Sequence, residues 1–161
     1  MRRSGTFPSV CLAVLLTAGA GLPGIEPLLQ SETRHSRLYA MTELAAESDG
    51  HFLVTADINN RAIKVLVDTG ATSVALSYED AVQIGLRPNT LNYDVTVHTA
   101  NGEGKAARVT LREIEINNIR VSDVEGLVLQ KGALRGTLLG MSFLSRLRSF
   151  SIENGKLVLK N

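Results

Sequence analysis

Cysteine is nearly absent from this sequence: among 161 residues Cys11 is the only thiol, and it lies in an apolar stretch near the amino terminus. The rest of the chain therefore has neither a disulfide nor a thiol nucleophile. Tryptophan is missing and aromatic residues make up 4% of the chain, so the core is expected to be aliphatic. No basic block occurs and the formal net charge is +1, which gives no reason to expect nucleic acid as a partner. His35, His51 and His98 are far apart and form no pair at metal-ligand spacing. Zinc and iron chemistry are set aside on that ground, and no metal or cofactor is expected.

What is present suits one modest domain with an extension. Hydrophobic residues are 44% of the chain and glycines number 14, a composition for a β-rich fold with many turns. Arg2 and Arg3 precede an apolar run over residues 10–22, the charged-then-apolar order of an export signal. The run is short of the roughly 20 residues that a spanning helix needs. Residues 1–25 are read as a signal peptide or membrane anchor, with Ala18-Gly19-Ala20 as a small-residue cleavage site if it is cleaved. By the positive-inside tendency the rest of the chain is then exported, periplasmic or held at the inner membrane facing the periplasm. Residues 26–50 read as a polar linker, with a short helix around Leu38, Met41 and Leu44.

The domain proper is placed at residues 51–161. Phe52, Val54, Ala56 and Ile58 alternate with Leu53, Thr55 and Asp57, Asn59-Asn60 turns the chain, and residues 61–67 return as a second strand. Residues 73–77 form a third strand, and residues 78–84 one or two helical turns. Tyr93, Val95 and Val97 then alternate into a long hairpin whose turn is read at Asn101-Gly102-Glu103-Gly104. Gly102-Glu103-Gly104-Lys105 is no phosphate loop, because no helix follows and no Ser or Thr succeeds the lysine. The apolar phase slips at Arg112-Glu113, which suggests a bulge. Residues 119–124 and 126–129 read as two further strands, then Thr137-Leu138-Leu139-Gly140 as a short buried strand, a helix with Met141, Leu144 and Leu147 on one face, and a hairpin over the last residues.

The most informative stretch is Val65-Leu66-Val67-Asp68-Thr69-Gly70-Ala71-Thr72-Ser73. An apolar strand delivers one carboxylate to a tight turn, Gly70 permits an immediate fold-back, and Thr69 and Thr72 offer hydroxyls to fix the acid. Asp-x-Gly alone is more often an ordinary turn than a catalytic one. Here a second apolar run, Val74-Ala75-Leu76, follows, so the turn is expected inside a core.

Taken together, Asp68-Thr69-Gly70-Ala71 at a strand end, a glycine-bearing hairpin after it and Leu138-Leu139-Gly140 running into a helix resemble a retropepsin-type aspartic protease, in particular the single-domain, N-terminally anchored bacterial members. The resemblance implies an all-β fold, a closed, mostly antiparallel β-barrel with one or two short helices. It implies Asp68 as catalytic carboxylate, Thr69 hydrogen-bonding across a subunit interface, and Gly70 allowing two such turns to approach. Substrate contacts are implied at Ala71 and along the hairpin of residues 97–108, the flap, at Thr99, Ala100, Asn101, Gly102 and Gly104. Gly140 is implied as part of the element bracing the Asp loop.

Hydrolysis of an amide by carboxylates needs two of them sharing one proton, and like charges held together titrate as a pair. None of Asp49, Asp57, Asp80, Asp94 or Asp123 is followed by Thr-Gly or Ser-Gly, so the chain holds half a site. The expected enzyme is an endopeptidase completed by homodimerisation about a two-fold axis, acting on peptide or protein substrates. The alternative is a non-catalytic peptide-binding or dimerisation module on the same barrel.

Overall fold

In the computed structural model, which describes residues 39–99 and 102–161, strand dominates. β1 (Met41–Ala45) precedes the hairpin of β2 (Leu53–Ile58) and β3 (Arg61–Val67), then β4 (Val74–Leu76) and helix α1 (Tyr78–Gln83). A 3-10 turn at Pro88–Thr90 leads into β5 (Val95–Thr99), β6 (Gly102–Ile116) and β7 (Ile119–Leu129). After them come β8 (Thr137–Leu139), helix α2 (Met141–Leu144), β9 (Ser149–Glu153) and β10 (Lys156–Lys160). The hairpins turn on asparagines in the left-handed region: Asn59 and Asn60 at φ +53° and +66°, Asn117 at +53°, and Asn154 with Gly155 at +51° and +74°. Asparagine tolerates this conformation better than most residues, and two-residue turns need it to match the twist of their strands.

The strand order β2-β3-β8-β4-β7-β6 is closed by pairing of β2 with β6 at Asp57↔Glu115 and Ile58↔Ile114. The result is the closed, mostly antiparallel barrel with two short helices that the resemblance implies. β3 and β8 pair in parallel, as do β4 and β7, and β5 hangs on β6 outside the ring. The interior is aliphatic, with Ile58, Val65, Leu76, Leu111, Ile114 and Leu139 fully buried, and Phe143 of α2 is its largest side chain. The Tyr93 hydroxyl, just before β5, is buried without a partner, and desolvation, reinforced by Tyr78, raises the phenol above its usual pKa.

Three expectations are revised. The helix read around Leu38, Met41 and Leu44 is a strand where it is described: β1 lies antiparallel on β10, which also pairs with β9. Thr42 and Leu44 turn inward and Met41, Glu43 and Ala45 outward, a period of two that the threefold spacing of the apolar residues concealed. The sheet thus begins within the stretch read as linker. The Asn117 amide donates to the Thr42 hydroxyl and the Asn161 amide to the Arg120 carbonyl, tying this sheet to the β6–β7 hairpin. Secondly, the glycines read into the hairpin turn lie in the ladder, because Thr99 pairs with Gly102 and Val97 with Gly104. Both glycines are therefore strand residues of β6. Thirdly, the phase slip at Arg112 is no extra residue on one strand. The register is the same on both sides, Leu111↔Val124 and Glu113↔Ser122, while pairing lapses at Arg112 and Asp123 and both strands exchange faces together. Asp123 takes φ +51°, and the Arg112 N–H donates instead to the Asn59 side chain at 2.9 Å.

Residues 1–25, the remainder of the linker up to residue 38, Ala100 and Asn101 lie outside the described residues. Among the described residues no helix is long and apolar enough to cross a membrane. Phe143→Ala should empty the centre of the core and cost about 3–5 kcal/mol of stability, read from a shifted urea midpoint at unchanged slope.

Candidate active site

β3 carries Asp68 to the rim of the barrel. Ile63 and Val65 anchor the strand in the core, and on its far edge β8 runs parallel with Val67 opposite Leu139. The first backbone group beyond the strand continues the ladder, since the Asp68 N–H donates to the Leu139 carbonyl at 3.1 Å. The chain then turns back on itself. The Gly70 N–H donates to Asp68 Oδ1 at 2.8 Å, and the Ala71 N–H to the Asp68 carbonyl at 3.2 Å. A backbone donor thus orients the carboxylate, not the Thr69 or Thr72 hydroxyls expected for that task. A Cβ on residue 70 would stand 3.1 Å from Asp68 Oδ1, so glycine leaves the acid its place. Asp68 is half-buried while Thr69 and Gly70 are exposed.

β8 sits between β3 and β4, so the loop joining those two strands must cross over the end of β8. The crossing point is Gly140. The Met141 N–H donates to the Ala71 carbonyl at 2.8 Å and the Ser142 N–H to the Thr72 carbonyl at 3.0 Å. A side chain on residue 140 would meet the Ser73 carbonyl oxygen at 2.3 Å and that of Ala71 at 2.6 Å, both backbone atoms with nowhere to go. The Ser142 hydroxyl accepts from the Val74 N–H at 2.9 Å and donates to the Glu125 carbonyl at 2.7 Å, pinning the loop to β7 as well.

A cleft of about 770 Å³ opens beside this loop. Asp68, Gly70 and Ala71 form part of its floor with Ala75, Leu127 and Leu138, β5 forms one wall, and Ala133 and Leu134 of the loop after β7 form another. Of the residues expected to touch substrate, Ala71 and Thr99 line the cleft, whereas Gly102 and Gly104 do not. Thr69 is outside its lining too, exposed at the rim. Glu125, Leu127, Ala133 and Leu134 are lining residues that sequence reasoning missed. The signal was the outward alternation of Glu125 and Leu127 in one continuous strand, obscured because the segment reads as two strands broken near Glu125. Among the described residues no group of three metal-ligating side chains is assembled.

The family model described as "gag-polyprotein putative aspartyl protease" matches residues 54–146, from β2 through α2. The chain belongs to this aspartyl protease family. A crystal structure of a retropepsin-like aspartic protease from Rickettsia conorii is similar at 40% identity and TM-score 0.69, covering 76% of this chain and 91% of that one. EIAV protease in complex with the inhibitor HBY-793 matches at 18% identity and TM-score 0.53, covering 64% of this chain and 93% of that one, a likeness of fold alone. Two uncharacterized proteins are also similar. One, from Sinorhizobium sp., is 48% identical over 113 residues, which is 70% of this chain and 48% of that protein. The other, from Rickettsia prowazekii (strain Madrid E), is 43% identical over 116 residues, 72% of this chain and 49% of that protein. The chain spans about half the length of these curated relatives.

In this retropepsin-like frame Gly140 tests the bracing of the Asp loop. Gly140→Ala should cost about 3 kcal/mol by forcing the two carbonyls aside. Gly104→Ala, whose Cβ would find only a Val97 methyl at 3.6 Å, should leave the melting temperature nearly unchanged in the same calorimetric measurement.

Proposed function

We propose that the chain is an aspartic endopeptidase whose active site is completed by a second copy of itself. The observation that carries this reading is the Asp68 loop: one carboxylate, oriented through Oδ1 by the Gly70 N–H, in the lining of a cleft of about 770 Å³. Among the described residues that line the cleft the other carboxylate is Glu125, which is paired with Arg108 and accepts from the Ser73 hydroxyl. In this reading the second acid is the Asp68 of another copy. The exposure of Thr69 and Gly70 supports a facing copy, with the Thr69 hydroxyl bonding across the two-fold axis and Gly70 letting the loops approach.

In the assembled pair the ionised Asp68 takes a proton from a water held between the two acids, and the water oxygen bonds to the scissile carbonyl carbon. The other Asp68, protonated, gives its proton to the carbonyl oxygen. The tetrahedral diol then collapses: its C–N bond breaks, the nitrogen leaves with a proton, and a carboxylic acid and an amine are released. The β5–β6 hairpin, with Thr99, Gly102 and Gly104 among its described residues, acts as the flap over the bound peptide. The site uses no metal and no cofactor. Arg2, Arg3 and the apolar run after them support export, with the domain periplasmic or tethered to the inner membrane.

Asp68→Asn keeps an oxygen to accept from Gly70 but no acid. It should reduce cleavage of casein and of a peptide library by at least about a thousandfold with an unchanged melting curve. Wild-type activity per mole should fall on dilution as dimers separate. Activity surviving in Asp68→Asn sinks the reading, and peptide binding without hydrolysis by the wild type favours a non-catalytic module. For placement, protease added to bacterial cells carrying the full chain should digest the domain only after the outer membrane is opened. Digestion that also requires lysis of the inner membrane refutes export.

A further inference from the structure

The cleft's second charged group is a linked set whose geometry is asymmetric in hydrogen-bonding capacity. Arg108 of β6 lies opposite Leu127 of β7, and Thr110 opposite Glu125, so Arg108 and Glu125 are diagonal neighbours on the sheet face that lines the cleft. Arg108 Nη1 meets Glu125 Oε2 at 2.6 Å, and the Ser73 hydroxyl donates to Glu125 Oε1 at 3.1 Å. Glu125 is thus spoken for at both oxygens and is fixed to the Asp loop through Ser73. The guanidinium is not. Among the described residues its one polar contact is to Glu125 through Nη1, so the Nε and Nη2 N–H groups of this cleft-lining residue keep their donor capacity. Its side chain is 58% exposed and that of Glu125 48%, too wet for the pair to be a strong stabiliser of the fold. Around them the lining is small and aliphatic, with Ala71, Ala75, Leu127 and Leu138.

We infer that Arg108, held in position by Glu125, is a specificity-determining residue that takes an acidic side chain, Glu or Asp, of the bound peptide. This rests on the endopeptidase reading above and adds a substrate class to it. A carboxylate is the ligand a guanidinium with free parallel donors recognises best, since two charge-assisted bonds form at once. A basic side chain finds Glu125 with both oxygens already engaged and Arg108 repelling it. Two copies about a two-fold axis carry two Arg108 residues, so the acidic preference falls at mirrored positions on the two sides of the cleaved bond.

The experiment maps cleavage sites of the full-length wild type in a peptide library by mass spectrometry, then compares kcat/KM for a peptide pair differing only as Glu or Ala at the preferred position. The wild type should favour the Glu peptide by roughly tenfold, the scale of one or two half-exposed charge-assisted bonds. Arg108→Gln should bring that ratio close to one, and Arg108→Glu should invert it for a Lys peptide. Each ratio is taken within one variant, so a loss of folded enzyme cancels. A cleavage map indifferent to acidic residues, a preference for Lys or Arg, or a ratio that survives Arg108→Gln would falsify the inference. If the wild type cleaves nothing, the proteolytic reading fails separately, and anisotropy titration of the same peptide pair decides about Arg108. Tighter binding of the Glu peptide that Arg108→Gln removes upholds the site, and equal binding overturns it.

Discussion

One hydrogen atom where every other residue has a carbon decides the architecture of this protein. The strand carrying Asp68 and the strand that leaves its loop are not neighbours, because β8 is inserted between them. The intervening loop can pass over the end of β8 only if the two backbones come into hydrogen-bonding contact, and at Gly140 they do, with the Ala71 and Ser73 carbonyls where a Cβ would stand. Beside that contact stand the bonds of Met141 and Ser142 to the loop and the seating of α2 with Phe143 in the core. Loops are ordinarily the variable part of a domain. This one is bonded along its length to two separate elements.

Much of this was readable from the chain. The apolar run to Val67, the glycine after Asp68 and the Leu-Leu-Gly before α2 are local signals that the fold obeys without alteration, as are the asparagine turns. The readings that failed did so where a distant partner decides the outcome. Met41 and Leu44 carry a spacing that suits a helix equally well, and β10, more than a hundred residues away in sequence, makes them a strand. Gly102 and Gly104 look like a turn because glycines usually are, yet the register set by Val95↔Ala106 puts the turn before them. Glu125 and Arg108 are on different strands, and only the sheet brings them side by side.

The cleft's chemistry is divided between two kinds of support. Asp68 is oriented by a backbone amide of its own loop, an arrangement with no side chain to lose. Arg108 is oriented by a side chain that depends on another side chain, Ser73, which belongs to that same loop. The acid and the guanidinium are thereby referred to one piece of backbone, although they sit on separate strands.

The ring of β2, β3, β8, β4, β7 and β6 is already complete when β5 is added to its outside. A wall built that way owes nothing to the closure of the barrel and contributes none of its fully buried side chains. Mutation can therefore rewrite the sequence of β5, and with it the shape of the space it borders, without disturbing the side chains that the ring strands bury in the core. The border of the cleft on that side can thus vary in sequence while the six-strand frame is kept.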